Sequence, residues 1–514
     1  MTGPGDDPTG PGPGDAGPGD LDGVAAGPVV VSRIARRRRA QRPVAGRTAA
    51  LVVAAVVVVG VGILSLALPV PSPSPAPTSG DGVQVAPTDA QESSLFCAAG
   101  AGVDAGAGAT FIVVLANTGH QVVHGVMTVV DAGSPTVVRR SVAVPARGTA
   151  DVEPATGLPA GDTAATFSFG AGGVTGTMVI GGRGGWSTAP CATTVAPQWD
   201  FAGGSTSSGT LDLSLYNPTA AQAVVDVSFL TASGSLLVPQ AYQGITLAPG
   251  QVVGAQLGNY VQNQAQLATL VQSSSGDVVA TELDKVVVPS GAGLALMAGT
   301  PEPATTWRFA QTTAVQGGSV TLVVADPGQS PVTAHVSVGL AAATVTPHQL
   351  VVPPLGVATL TVSSVAGWPL GSPYSLTVSA SSPIIVGRSV TAPSGAVAPQ
   401  AGITRGTTST ASTWLVVGPG SPGNPLAPNA AIRSLAVADP ESTPVEVTVV
   451  PLAGGRPVAL ARVTGNGVVV FGSAAVGGLR PLVVEASGPV VVEADIGPAG
   501  APGVISTAGF PLAG

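Results

Sequence analysis

The chain has 514 residues, of which 45% are hydrophobic and only 9% are charged, with 71 glycines, 48 prolines and a net charge of −8. This length predicts three or four domains, and this composition favours short strands joined by turns over long helices. Beyond residue 68 there are 12 basic and 22 acidic residues, which excludes a basic patch for a phosphate backbone and with it nucleic acid as a partner.

The amino-terminal region predicts a tail and one membrane anchor. Residues 1–47 form an expected disordered cytoplasmic tail, too rich in Pro and Gly at its start to build a core. From Ala49 to Leu68 the chain runs 20 residues without a charge, which as a helix spans about 30 Å of hydrocarbon. A signal peptide has a shorter leader and a shorter apolar region, so we predict an uncleaved transmembrane helix over 48–68.

The charges on either side of this helix predict its orientation. The positive-inside bias places the amino terminus in the cytoplasm and the carboxyl-terminal region outside it. Residues 69–93 are rich in Pro and Ser and predict an extended stalk. The expected topology determinants form one arginine cluster: Arg36, Arg37, Arg38 and Arg39.

The remaining chain repeats at intervals of about 105 residues. Trp199, Trp307 and Trp414 are 108 and 107 residues apart, and Phe96 lies 103 residues before the first of them. Each repeat contains two strands joined by a turn that begins with Asn or Asp, at Asn117, Asn217, Asp326 and Asp439.

Within a strand such as 209–216, apolar and polar side chains alternate, which is the period expected for one buried face. About seven short strands per repeat predict an all-β ectodomain of tandem immunoglobulin-like β-sandwich modules. A propeller of short blades is the alternative architecture. The predicted modules cover residues 94–195, 196–303, 304–412 and 413–514.

The two cysteines, Cys97 and Cys191, both follow the predicted anchor and bracket the first module. On an oxidising side of the membrane they form the one possible disulfide, with two free buried thiols as the alternative.

The arrangement resembles an actinobacterial family of membrane-anchored extracytoplasmic proteins known only as a domain of unknown function. The resemblance is carried by the Arg-flanked anchor, the Pro/Ser stalk, the L-x-L-x-N-P segment that ends at Pro218 and the S-G-P-V-V-V-E segment that ends at Glu493. It implies a cell-envelope protein and transfers no chemistry.

No motif in the chain assigns a catalytic, cofactor-binding or metal-binding residue. His120 and His124 flank a predicted turn and are expected to be solvated. Glu282 and Asp284 lie two apart on a strand, and with charges this sparse they are expected to be solvated edge acids.

Aromatic side chains could also form a sugar-binding platform. A tryptophan that recurs once per module is more typical of core or inter-module packing. Trp186 and Trp368 fall outside this register and are the better candidates for an exposed platform.

Two functional classes follow. The first is a non-enzymatic, membrane-anchored extracytoplasmic scaffold or binding protein of the cell envelope, without a cofactor, whose partners are the membrane and an envelope protein or glycan. The alternative is a glycan-binding or glycan-processing envelope accessory or enzyme whose site is not visible in sequence. A deep pocket with facing carboxylates would favour the alternative.

Overall fold

The chain divides into two units, residues 1–76 and 77–514, and the structure, a computed structural model, describes part of the second. The predicted cytoplasmic tail and the predicted transmembrane helix lie outside the described residues, and among those residues no helix has the length and apolar character to cross a membrane. The described residues are 82–99, 110–132, 134–156, 158, 161–182, 185–288, 291–314, 316–340, 345–393, 401–420, 424, 430–497 and 505–512.

The described chain is almost entirely β-structure, as the sequence predicts, and its strands fall into four groups with one plan. We call these groups repeats 1 to 4 and the strand positions within each a to h. The strands of repeat 1, in order a to h, are β1 (Ser93–Ala99), β2 (Thr110–Asn117), β3 (Val123–Asp131), β4 (Ser134–Val144), β5 (Gly148–Val152), β6 (Thr163–Phe169), β7 (Val174–Gly182) and β8 (Gly185–Pro190).

Repeat 2 follows the same order and divides position d into two short strands. Its strands are β9 (Gln198–Gly204), β10 (Gly209–Tyr216), β11 (Ala223–Thr231), β12 (Leu236–Leu237), β13 (Ile245–Leu247), β14 (Val252–Gln256), β15 (Leu267–Ser275), β16 (Val279–Val288) and β17 (Gly291–Ala298).

In repeats 3 and 4, positions f and g are one long strand that passes from one sheet to the other. Repeat 3 contains β18 (Ala304–Thr312), β19 (Ser319–Asp326), β20 (Val332–Gly339), β21 (His348–Val352), β22 (Gly356–Thr361), β23 (Tyr374–Thr391) and β24 (Ala401–Arg405). Repeat 4 contains β25 (Ala411–Val416), β26 (Ala431–Ala438), β27 (Val445–Pro451), β28 (Ala459–Val463), β29 (Val468–Gly472), a one-turn helix α1 (Ser473–Val476), β30 (Leu482–Gly497), β31 (Ile505–Ala508) and β32 (Phe510–Pro511).

Each repeat forms two antiparallel sheets that face each other. One sheet has the strand order a-f-c-d and the other e-b-g-h, as in β1-β6-β3-β4 and β5-β2-β7-β8. An apolar core fills the space between them in every repeat. After strand h the chain returns to pair with strand a of the same repeat, for example at Phe96 with Ala192 and at Asp200 with Thr300.

The recurring tryptophans lie in these cores. Trp199, Trp307 and Trp414 are at most 1% exposed, and their indole N–H groups donate to the backbone oxygens at the start of position g: Val278, Ile384 and Val490. In repeat 1 the equivalent residue is Leu95 and not Phe96, because Leu95 pairs with Phe167 as Trp199 pairs with Val271. A shift of one residue reverses the face of a strand, so Phe96 points toward repeat 2.

The outer faces of the sheets are also buried, which corrects the expectation of one buried face per strand. Asp212, Ser214 and Tyr216 alternate with the core leucines of β10, yet they are only 1% to 7% exposed. The a-f-c-d sheet of each repeat packs its outer face on the e-b-g-h sheet of the next. Small residues line these contacts, as at Ala98 and Ala164 in repeat 1.

The four repeats close into a ring. Apolar clusters join repeat 1 to 2, repeat 2 to 3, repeat 3 to 4 and repeat 4 back to 1. At the centre, the h strands pack in a cycle, β8 on β17, β17 on β24, β24 on β31 and β31 on β8. The repeats are therefore two-layer sandwiches whose sheets radiate from an axis, as propeller blades do.

The first and last described segments meet at the seam between repeats 4 and 1. Val85 bridges to Leu512, and Val83 and Val85 are buried with side chains of repeats 1 and 4. Residues 82–93 are thus part of the fold, although the sequence places them in the stalk. The reason is that Val83 and Val85 supply apolar side chains that pack in the cluster at this seam.

The alternation of strand direction gives the ring two different faces. Connections b–c and d–e, together with f–g in repeats 1 and 2, have three to six residues and lie on one face, which we call the turn face. Connections a–b, c–d, e–f and g–h lie on the opposite face, which we call the loop face. Two of the longer described connections of the ring lie there, 257–266 and 362–373.

Candidate functional site

The predicted disulfide is present and the predicted exposed tryptophans are not. The sulfurs of Cys97 and Cys191 are bonded, with Cα atoms 4.7 Å apart. Trp186 and Trp368 are only 3% and 7% exposed, so neither offers a platform. Trp186 packs in the seam between repeats 1 and 4, and the Trp368 ring meets Tyr374 edge-on in the core of repeat 3.

The histidines and acids singled out in the sequence have contrasting positions. His120 and His124 are exposed on the surface of repeat 1. Within the described part of the chain, no group of three or more His, Cys, Asp or Glu side chains is placed to hold a metal ion. Glu282 and Asp284 are each 2% exposed, so the expectation of solvated edge acids is wrong. They sit on the inward face of β16, where the core of repeat 2 covers them.

The environment of this acid pair favours its neutral form. Thr269 Oγ1 donates to Glu282 Oε1 at 3.0 Å, and the backbone N–H of Ser205 donates to Asp284 Oδ2 at 3.1 Å. The second oxygen of each carboxyl has no hydrogen-bond partner among the described residues. Burial raises the pKa of both to about 8, against the opposing hydrogen bonds from Thr269 and Ser205, and each pKa is raised further by a neighbouring acid. Burial therefore favours the uncharged form of both carboxyls, whereas a general base acts in its charged form.

A second buried polar group joins repeats 3 and 4. The Arg388 guanidinium pairs with Glu493, donates to the Gln311 backbone oxygen and lies 4.9 Å from the centre of the Phe309 ring. Gln311 Nε2 in turn donates to Asp495 Oδ2 at 2.6 Å. Burial raises the pKa of Asp495 to about 7. Arg388 Nε has no hydrogen-bond partner among the described residues, and the contacts with Glu493 and Asp495 link a strand of repeat 3 to a strand of repeat 4, which is a structural use of a buried ion pair.

The ring axis holds a cavity of about 40 Å³, lined by residues of all four h strands and the segments after them. At about 10 to 15 Å³ per water, this is room for only a few water molecules. A larger groove of about 620 Å³ lies on the turn face, between residues 82–87 and the start of β1. Catalysis by paired acids requires a site that excludes water. The two carboxylates of this groove, Glu92 and Glu302, are exposed to solvent.

The loop face of repeat 2 carries an ordered aromatic pair. Tyr260, in connection e–f, is 61% exposed, and its ring meets the ring of Tyr242, between β12 and β13, at 5.2 Å and 86°. Tyr242 is buried between Tyr260 and Phe229, and its hydroxyl donates to the Gln256 backbone oxygen at 2.6 Å. Burial raises the pKa of Tyr242 to about 12. An exposed ring is thus held in place by a buried one, which reduces the entropy lost when a ligand contacts it.

Amide side chains surround this pair in the sequence. Residues 240–266 contain nine of the 26 Asn and Gln residues of the chain, together with two of its four tyrosines. Asn259, Gln262 and Asn263 are exposed on the same connection as Tyr260. No Asp, Glu, Lys, Arg or His occurs from residue 227 to residue 276. We call Tyr242, Asn259, Tyr260, Gln262 and Asn263 the amide–tyrosine cluster.

The cluster was not predicted from the repeat signals, because it lies in the connections where the repeats differ. The signal that could have found it is compositional, since a local excess of amides and tyrosines in an amide-poor chain departs from the surrounding composition. Tyr and Asn are also the side chains that binding loops use for contact area and adaptable hydrogen bonds.

The fold and this cluster define an all-β protein of four two-sheet repeats closed around an axis, with connections a–b, c–d, e–f and g–h on one face. A family model described as a family of unknown function (DUF5719) matches residues 158–464, and the chain belongs to this family. The match begins inside repeat 1, contains repeats 2 and 3 completely and ends inside repeat 4. No curated protein matches the sequence.

Proposed function

We propose that this protein is a non-enzymatic, membrane-anchored binding protein or scaffold of an actinobacterial cell envelope, whose immunoglobulin-like repeats stand outside the cytoplasm. The observation that carries the proposal is the division of the ring into a turn face and a loop face. Binding residues concentrate on loops that a rigid framework positions, and in all four repeats connections a–b, c–d, e–f and g–h leave the described strands on the same side.

The position of the first described residue supports the same reading. Gly82 lies on the turn face, where its backbone oxygen accepts a hydrogen bond from the Thr193 N–H at 3.0 Å. The described chain therefore enters the ring on the turn face.

The burial of the charged groups supports a role without turnover. Glu282, Asp284, Arg388 and Glu493 are enclosed within repeats or between them, at most 3% exposed. Catalysis needs titratable groups that reach a substrate in a protected site. These groups make their contacts inside the ring instead.

The test of location is a pair of reporter fusions after Gly514, an alkaline phosphatase that is active only outside the cytoplasm and a fluorescent protein that matures only inside it. We expect phosphatase activity without fluorescence. The matched control replaces Arg36, Arg37, Arg38 and Arg39 with alanine, which weakens the positive-inside bias and should increase the fluorescent fraction. Fluorescence without phosphatase activity in the unaltered chain would contradict the proposed orientation.

A further inference from the structure

We propose that the amide–tyrosine cluster of repeat 2 binds a neutral polysaccharide, with the exposed face of Tyr260 stacked on a sugar ring. This inference rests on the proposed function, because it names the ligand class of the loop face. It depends on three properties of the cluster: an exposed and fixed aromatic ring, a high density of amides and an absence of charge.

The aromatic ring supplies the apolar part of the contact. One face of a pyranose ring presents C–H groups, and an exposed tyrosine face is a flat apolar surface of similar size. Tyr260 is 61% exposed and Tyr242 supports it edge-on at 5.2 Å. The remaining surface of the ring is therefore available, and its direction is already set before the ligand arrives.

The amides supply hydrogen bonds that suit hydroxyl groups. Each Asn or Gln side chain offers two donors and an acceptor oxygen, and each sugar hydroxyl is both donor and acceptor. Asn259, Gln262 and Asn263 are exposed next to Tyr260 in the chain. Asn263 has a positive φ of 58°, a conformation that asparagine tolerates and that fixes the path of the connection.

The charge pattern selects neutral over ionic ligands. The 50 residues from 227 to 276 contain no Asp, Glu, Lys, Arg or His. Asp212, the acid whose charge reaches Tyr242, is itself paired with Lys285 at 2.8 Å. Asp226 borders this stretch, and its Oδ1 accepts the Gly244 N–H at 2.7 Å. A nucleic acid or an acidic polysaccharide would find no cation on these connections.

The experiment measures binding of the full chain, purified in a detergent without a sugar headgroup, to dextran, mannan and pullulan, with polygalacturonate as the anionic comparator. We expect at least one neutral polysaccharide to bind, and polygalacturonate to bind more weakly. Tyr260→Ala should weaken that binding about tenfold, since it removes the stacking surface. Tyr260→Phe should keep it within about threefold, since the ring remains.

The control variant is Gln329→Ala, which removes an exposed amide from the turn face of repeat 3 and should leave binding unchanged. Thermal melting of each variant checks the fold, which Tyr260→Ala should preserve because the side chain is mainly exposed.

Three outcomes would overturn the inference: no binding of any neutral polysaccharide, equal binding by Tyr260→Ala and the parent, or preference for polygalacturonate. A concentration-dependent dimer that Tyr260→Ala abolishes, without polysaccharide binding, would assign the cluster to a second copy of the chain instead. Each of these leaves the reporter fusions unaffected, so failure here is distinct from failure of the proposed location.

Discussion

The turn after strand b begins with a buried asparagine in repeats 1 and 2 and with a buried aspartate in repeats 3 and 4. The two side chains differ in one terminal atom, an amide nitrogen or a carboxyl oxygen. In repeat 1, Asn117 is fully buried and its Nδ2 donates to the backbone oxygens of Gln121 and Val144, at 2.8 and 3.2 Å. Asn217 makes the equivalent pair of bonds in repeat 2, to Ala221 and Leu247 at 2.7 and 3.1 Å. The amide therefore ties the turn to the end of strand d.

Repeats 3 and 4 carry aspartate at this position, and aspartate cannot make these bonds when ionised. Asp326 and Asp439 are 0% and 2% exposed. Their Oδ1 atoms accept the backbone N–H groups of Gly328 and Glu441, as in the other repeats. Their Oδ2 atoms have no hydrogen-bond partner among the described residues. Burial raises the pKa of both carboxyls above 3.8, against the hydrogen bond from the backbone N–H.

We predict that Asp326→Asn and Asp439→Asn each stabilise the protein at pH 8 by about 1 to 3 kcal/mol, the cost of one buried polar group left unpaired. A carboxyl whose pKa is raised on folding destabilises the fold as the pH rises from 3.8 through its folded pKa. The gain from asparagine should therefore be largest above the folded pKa and should shrink toward pH 4. The reverse changes, Asn117→Asp and Asn217→Asp, should destabilise by a similar amount.

Thermal unfolding of the four variants at pH 8 and pH 5 tests this reasoning. With an unfolding entropy of about 2.1 cal/mol/K per residue, 1 kcal/mol corresponds to about 1 °C if the ring unfolds as one unit, and to more if repeats unfold separately. The two Asp→Asn changes are in different repeats and should be additive. A lower melting temperature for Asp326→Asn at pH 8, or a gain larger at pH 5 than at pH 8, would refute the proposed role of Oδ2.

Two further predictions concern repeats 1 and 2. The pKa values of Glu282 and Asp284 are raised to about 8 from ordinary values of 4.5 and 3.8, so the stability of the protein should fall as the pH rises from about 4 to 9. A Glu282→Gln, Asp284→Asn double variant should reduce this pH dependence in thermal melts. An unchanged pH profile would contradict the buried placement. Replacing Cys97 and Cys191 with alanine opens a loop across a sequence separation of 94 and should lower the free energy of unfolding by up to about 4 to 5 kcal/mol. If the variant melts like the parent under both reducing and non-reducing conditions, the disulfide does not contribute to stability.

The strand plan could be predicted from the sequence because it depends on local signals. Asn117, Asn217, Asp326 and Asp439 mark the same turn in every repeat, and the spacing of the tryptophans gave the period. The disulfide followed from two cysteines at the ends of one repeat. Predicting these features requires only the residue preferences of a turn, the alternation of apolar and polar side chains along a strand, or the number of cysteines.

The ring could not be predicted in the same way, because it depends on which outer faces meet. On β10 the outward residues Asp212, Ser214 and Tyr216 look like a solvated face, and only the packing of repeat 2 on repeat 1 buries them. Tyr216, for example, is paired through its hydroxyl with Thr166 of repeat 1 at 2.8 Å. From the sequence, Glu282 and Asp284 are expected to be solvated because acidic side chains usually lie at the surface. Their alternation with Leu283 on β16 instead places them on the inward face, which depends on how the sheets pack.

The closed ring also changes how many binding sites the protein offers. Serial modules of one design suggest multivalent contact with one site per module. In the ring, however, the shared strand plan holds the four repeats together, while the loop-face connections differ in length and composition from one repeat to the next. The amide-rich, charge-free sequence occurs in repeat 2 alone. The fold therefore separates a repeated framework from a single specialised surface, and a neutral polysaccharide segment should bind with one site per chain.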